Sequence, residues 1–251
     1  MDDWYSKYEN KFKKKGYTLT IEKDGYLVAS DQLRILGKSA NTVWTAASVL
    51  CDEEYYFSAP SENFVVIDIG LNIGIAALYF AQMKAITHIY GYEPFLDSFK
   101  QAQLNLTNNS KLKRKISIYN VGLGKADTIK TLHFNSALPG SMSTYFDRFS
   151  DTGDLETIVL KNAAEVLKPI FEKHRERILL KIDCEGGEVD ILPSLYDVGL
   201  LEKVAVIIME WHFVKPDLYV KMLNELGFFV FNNHEQVDYQ GIIRAINVKM
   251  I

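Results

Sequence analysis

Cysteine is scarce in this chain. Cys51 and Cys184 are the two present among 251 residues, too few for a disulfide framework and without metal-ligand spacing, so two free thiols in a reducing compartment are expected. Long hydrophobic runs are missing as well. Nothing approaches the roughly 20 apolar residues that a membrane-crossing helix needs, and the start, Met1-Asp2-Asp3-Trp4, is acidic where a secretory leader would be basic and then apolar. The expected location is cytoplasmic, with no membrane partner. Basic charge is not in excess: 28 Lys and Arg face 32 Asp and Glu, a net charge of −4. That gives no footprint for nucleic acid, and the short run Lys11 to Lys15 reads as a solvated face beside the N-terminus. Internal repeats and low-complexity segments are absent too.

What is present is enough apolar content, 48% of residues, for one sizeable core. Residues 1–60 stand apart from the rest. They carry Trp4, Tyr5, Tyr8, Phe12, Tyr17 and Tyr26, with Val43, Ala46, Ala47 and Leu50 at helical spacing. This segment reads as a small helical cap with one short hairpin near Gly25, ending at Pro60-Ser61. Its aromatics are expected to be exposed, covering an acceptor pocket or forming a homodimer contact.

From residue 61 to 251 strands and helices alternate. Phe64–Ile69 is a continuous apolar run suited to a central parallel strand, and Ile73, Ala76, Ala77, Phe80 and Ala81 then lie on one helix face. Thr87–Tyr92 and Ile116–Val121 read as the next strands, with Asp97 as cap of the helix between them. Residues 122–160 break the rhythm with two or more extra strands. Asn162, with Glu165 three residues on, caps another helix. Arg177–Asp183 and Val204–Glu210 are strands, and Pro193 is expected to stop a short helix that starts at Gly186. A helix from Pro216 to Leu226 ends in a left-handed Gly227. Phe228–Phe231 and Ile242–Val248 lack a helix between them and should pair antiparallel. The fold class is therefore α/β: a Rossmann-like, seven-stranded, mostly parallel sheet with an antiparallel last strand and helices on both faces. That is the plan of class I methyltransferases.

Two turns fall at the carboxyl edge of such a sheet, where a nucleotide-like cofactor lies. The first is Asp68-Ile69-Gly70-Leu71-Asn72-Ile73-Gly74; the second is Glu93-Pro94. A dinucleotide fingerprint wants Gly-x-Gly-x-x-Gly. Counting from Gly70, its second and third positions hold Asn72 and Ile75, so an NAD-dependent oxidoreductase is disfavoured, and Asp68 would repel a phosphate. S-adenosylmethionine removes the conflict. Its ammonium suits Asp68, directly or through water, while Gly70 and Gly74 let main chain pass close to its methionine portion. A helix start offers N–H groups to its carboxylate, and Glu93 suits two ribose hydroxyls.

With these turns on the page, the chain resembles the FkbM family of methyltransferases. The resemblance rests on Val66-Ile67-Asp68-Ile69-Gly70-Leu71-Asn72-Ile73-Gly74, on Glu93-Pro94, and on Lys181-Ile182-Asp183-Cys184-Glu185-Gly186-Gly187-Glu188. It covers about residues 55 to 250. It implies S-adenosylmethionine as cofactor, held by Asp68, Gly70, Asn72, Gly74, Glu93 and Pro94, with Asn120 and Val121 near the adenine. It also implies a sugar or polyketide-like hydroxyl as acceptor, and a loop at Gly140-Ser141-Met142-Ser143-Thr144 that closes over it.

Lys181, Asp183 and Glu185 alternate, so they should point one way from a strand end. Methyl transfer to an alcohol needs a base near the sulfonium. Asp183, Glu185 and His212 are the candidates, with Glu210 placed to orient the imidazole. For Lys181 and Glu188 the alternative is a structural ion-pair network that orders the edge. Asp183, Glu185, Glu210 and His212 are all cation-ligand types, but no spacing specifies a metal and none is expected. A module that keeps the cofactor site without catalysis remains the rival reading.

Overall fold

The computed structural model describes residues 3–58, 63–135, 142–144, 154–234 and 240–250. The expected segment boundary at Pro60-Ser61, and Gly140 and Ser141 of the expected loop, lie outside them.

The N-terminal segment folds as helix α1 (Asp3–Lys14), strands β1 (Thr18–Glu22), β2 (Gly25–Ala29) and β3 (Arg34–Gly37), and helix α2 (Ala40–Leu50). The hairpin near Gly25 is there, and a third strand extends it into an antiparallel sheet of order β1-β2-β3. The aromatics are not an exposed patch. Tyr5 and Phe12 are buried, and Trp4, Tyr8, Tyr17 and Tyr26 pack against the same cluster. Amphipathic α1 turns one side inward, which sequence spacing alone did not separate from a sticky surface. The outer edge of β3 is closed by side chains. Asn105 Oδ1 accepts from Leu36 N at 2.8 Å and Asn109 Oδ1 accepts from Arg34 N at 2.9 Å.

The main sheet has seven strands, β4 (Phe64–Ile69), β5 (Ile86–Tyr92), β6 (Ile116–Tyr119), β10 (Arg177–Ile182), β11 (Val204–His212), β12 (Phe228–His234) and β13 (Gln240–Asn247). Their order is β12-β13-β11-β10-β4-β5-β6. β13 runs antiparallel to both neighbours, and the other pairs are parallel. A smaller sheet of β7 (Gly122–Gly124), β8 (Thr128–Phe134) and β9 (Asp154–Asn162) accounts for the break in rhythm.

Alternation along buried β4 splits the core in two. Val65, Ile67 and Ile69 face one cluster with α6 (Ala163–Lys173), α7 (Glu188–Asp197) and α8 (Asp217–Leu226). Phe64 and Val66 face the other, shared with α2, α3 (Ile75–Ala81), α4 (Leu96–Asn108), the short α5 (Ser110–Lys113) and the N-terminal segment. Among the described residues, no helix is long and apolar enough to cross a membrane.

Two local expectations shift and two hold. Asp97 lies inside α4, whose N-cap is Phe95. Pro193 lies inside α7 rather than ending it, because Ile191, Leu192 and Leu195 are fully buried and hold that helix against the core. Asn162 does cap α6, accepting from Glu165 N at 3.2 Å, and Gly227 ends α8 at φ +91.

Candidate active site

The two expected turns meet at the carboxyl ends of β4 and β5. Gly70, Asn72 and Gly74 all take left-handed φ values, +85, +51 and +85, so the loop doubles back before α3 begins. Gly70 has a second constraint: a Cβ there would lie 1.6 Å from the Asp183 carbonyl oxygen. Glu93 binds the loop to its own turn. Its Oε2 accepts from Asn72 N at 2.7 Å and its Oε1 from Phe95 N at 2.9 Å. Burial raises the Glu93 pKa to about 7 despite these two donors. Asn120 follows the end of β6 and donates to the Glu93 and Pro94 carbonyls at 3.0 Å each, and Val121 packs on the second core cluster.

A half-open cleft lies over this corner. Gly70, Asn72, Glu93, Pro94, Asp183 and Glu185 line it, so most of the expected residues converge. Phe95, Met142, Thr144 and Cys184 complete the wall. Met142 and Thr144 belong to the loop expected to close there. Asn120 and Val121 stand behind the wall rather than in it.

Asp68 is also behind it, fully buried. In the parallel register Asp68 sits opposite Lys181, and Lys181 Nζ lies 3.0 Å from its Oδ1 and donates to Gly70 O at 2.7 Å. The carboxylate contact has ion-pair distance without hydrogen-bond alignment, so both Asp68 oxygens lack a donor. Burial raises the Asp68 pKa, with Lys181 opposing. For Lys181, burial opposes the charge, but Asp68 and Asp183 outweigh it and hold the ammonium above its ordinary pKa. Asn72 Oδ1 is likewise buried without a partner. The unpartnered Asn72 oxygen, on a residue that lines the cleft, fits a ligand that brings hydroxyl donors, as S-adenosylmethionine does.

The reacting edge is assembled by register. Ile182 pairs with Met209 across β10 and β11, so the next residues, Asp183 and Glu210, come together, and His212 follows Glu210 on the same face. β10 ends at Ile182. Glu185 therefore reaches the cleft from a turn at φ +51, not by strand alternation. Glu188, not Glu210, positions the imidazole: its Oε1 accepts from His212 N at 2.6 Å and lies 3.2 Å from Nδ1. Nε2 lies 3.7 Å from Glu210 and 3.8 Å from Glu185. Burial works against an imidazolium, but Glu188, then Glu185 and Glu210, raise the His212 pKa to about 9. Burial, and next the Asp183 charge, push Glu210 well above the usual carboxylate range. Burial also opposes the Asp183 charge, yet Lys181, His212 and hydrogen bonds hold its pKa below the ordinary value.

One contributor had no signal in the sequence. Tyr55 comes from the N-terminal side, 128 residues before Asp183, and its hydroxyl donates to Asp183 Oδ2 at 2.7 Å. Lys181 Nζ lies 5.4 Å from the centre of its ring.

A sheet of this order, with a glycine loop and an acidic turn at the ends of its first two parallel strands, defines a Rossmann-like methyltransferase fold. A family model described as the methyltransferase FkbM domain matches residues 68–239. The chain belongs to the FkbM methyltransferase family. "Methyltransferase 1" of Beauveria bassiana is 26% identical over 168 residues, which are 59% of this chain and 65% of that protein. The AMB antimetabolite synthetase AmbE of Pseudomonas aeruginosa is 25% identical over 217 residues, 71% of this chain and 10% of that protein. The chain thus spans less than two thirds of the length of either relative. The crystal structure of an FkbM methyltransferase from Methylobacillus flagellatus superimposes with a TM-score of 0.50 at 14% identity, covering 97% of this chain and 61% of that one. It shares the fold.

Proposed function

We propose that this chain is an S-adenosylmethionine-dependent methyltransferase that methylates a hydroxyl oxygen on a small molecule or sugar. The observation that carries this reading is the meeting of two halves in one cleft: the glycine loop with Glu93 on one side, and Asp183 with Glu185 on the other. The cofactor is S-adenosylmethionine. Gly70, Asn72, Gly74, Glu93 and Pro94 hold it, with Asp68 acting through Lys181 and the loop main chain. Asn120 supports the Glu93-Pro94 turn from behind.

When bound, S-adenosylmethionine would supply the methyl group, its sulfonium taking the electron pair of the broken carbon–sulfur bond as the acceptor oxygen bonds to the methyl carbon. The acceptor hydroxyl would then have to give its proton to a base. Asp183 and Glu185 face the cleft and take this role. His212, with its pKa raised to about 9 by its surrounding carboxylates, is cationic near neutral pH and steadies the charge on them. Alignment of acceptor and methyl group alone supplies roughly 7–11 kcal/mol of barrier reduction in well-oriented reactions.

The test has two parts. Calorimetry should show S-adenosylmethionine and adenosylhomocysteine binding without NAD binding; tight NAD binding alone ends the reading. Adenosylhomocysteine should then accumulate with members of a panel of sugar and small-molecule alcohols. Cofactor binding without turnover across a broad panel would favour a non-catalytic module.

A further inference from the structure

We propose that Asp183, Glu210 and His212 bind one divalent transition cation, in the manganese-to-zinc range, at the acceptor side of the cleft. For its existence the site stands on these side chains alone; for its chemical role it rests on the methyl-transfer reading above.

Each of the three offers a ligand atom, and these atoms all lie within 4.8 Å of one another. Metal–ligand bonds of about 2.0–2.2 Å place neighbouring ligand atoms roughly 3–4 Å apart. His212 Nε2 and Glu210 Oε1 are already 3.7 Å apart, and Asp183 has a carboxylate oxygen within 4.8 Å of both ligand atoms.

The imidazole is the second and independent observation. His212 is 3% exposed, and its Nδ1 is held by Glu188, which is fully buried. A carboxylate behind a histidine fixes the Nδ1 proton and turns Nε2 outward, where an arriving ion displaces the Nε2 proton, the arrangement that supports metal-ligating histidines. Here Nε2 meets Glu210 and Glu185 at 3.7 and 3.8 Å, distances of ion pairs rather than hydrogen bonds. Charge points the same way. Asp68, Asp183, Glu185, Glu188 and Glu210 crowd this edge, and Lys181 and His212 are the two positive partners of these five carboxyl groups in its described ion pairs. Buried carboxylates need a compensating cation. One imidazole nitrogen with two carboxylates suits manganese, iron, cobalt or zinc better than calcium. A cation there would draw charge from an acceptor hydroxyl and ease loss of its proton to Glu185.

The full chain, freed of metal with a chelator, should bind one Mn²⁺ or Zn²⁺ in calorimetry, and pulsed electron paramagnetic resonance of bound Mn²⁺ should show nitrogen coupling. Glu210→Gln and Asp183→Asn should each weaken binding at least ten-fold. Glu188→Gln, which does not touch the ion, should weaken it roughly 10–100-fold through the imidazole. Glu210 is partly exposed, so Glu210→Gln decides the matter if a buried-site variant fails to fold. Absence of saturable binding for both ions, unchanged affinity in Glu210→Gln, or bound Mn²⁺ without nitrogen coupling overturns the site. Methyl transfer that proceeds with no cation bound removes the proposed role and leaves the enzyme reading standing. A chain that binds the cation but never forms adenosylhomocysteine keeps the site and sinks that reading.

Discussion

Gly70 and Gly74 share the same backbone angle, φ +85, but not the same surroundings, and this pair separates two kinds of glycine requirement. Alanine at either position pays the left-handed penalty of about 1–2 kcal/mol. At Gly74 little else happens, because the nearest atom to a new Cβ is 3.5 Å away on Ala102. At Gly70 the Cβ would meet the Asp183 carbonyl oxygen at 1.6 Å and its carbon at 2.6 Å, so main chain has to retreat. The retreat strains the Asp183 N to Ile69 O bond, now 2.9 Å, and the Lys181 bond to Gly70 O, now 2.7 Å. A hydrogen bond contributes about 1 kcal/mol, and one to a charged group about 1.5–3. Gly70→Ala should thus cost about 3.5–6 kcal/mol against about 1–2 for Gly74→Ala. In a chain of this size 1 kcal/mol moves the melting temperature by roughly 2–4 °C, so the variants should melt about 5–16 °C apart. Calorimetric scans with and without adenosylhomocysteine make the measurement. Equal losses in the two variants would refute the steric argument, since they differ only in what the Cβ meets.

Other outcomes follow from single contacts. Glu93 holds a proton in the folded state that the unfolded chain releases, because burial raises its pKa from 4.5 to about 7. Its contribution to stability therefore falls as pH rises between those values, by at most about 3 kcal/mol. Adenosylhomocysteine binding should tighten as pH climbs through 7 if ribose hydroxyls donate to the ionised form; a flat affinity from pH 6 to 8 in calorimetry counts against that contact. Tyr55→Phe removes the donor to Asp183 and should lower stability by about 1.5–3 kcal/mol with a matching loss of turnover; a variant indistinguishable in urea unfolding and in rate would show that this contact does not order the edge. Asn162→Ala removes the α6 cap and should cost about 1 kcal/mol without touching cofactor affinity, and a larger change in affinity than in melting would contradict its purely structural role.

Local chemistry made much of this molecule legible. The glycine loop, the Glu93-Pro94 turn and the antiparallel final pair announce themselves through residues that few other backbones tolerate. The helix bounds were harder, because Asp97 and Pro193 carry signals that tertiary burial overrides. Least legible were contacts set by strand order. Nothing in the spacing says that Lys181 will stand opposite Asp68, that Glu188 rather than Glu210 will hold His212, or that Tyr55 will reach Asp183. Each of these depends on which strands become neighbours, and neighbours in a crossed-over sheet are distant in sequence.

The amides of Asn105 and Asn109 occupy the open side of β3, and that has a bearing on how the chain could be shortened. A version starting at residue 55 would leave two buried asparagines, one in α4 and one just past its end, facing water or nothing, and would uncover the apolar cluster that α1 and α2 now share with the main sheet. Conversely, a loosened N-terminal segment would present β3 as an unpaired edge, ready to recruit a strand from another copy. The same two side chains thus guard against self-association and bind the N-terminal segment of the protein to the helix that begins just past Glu93.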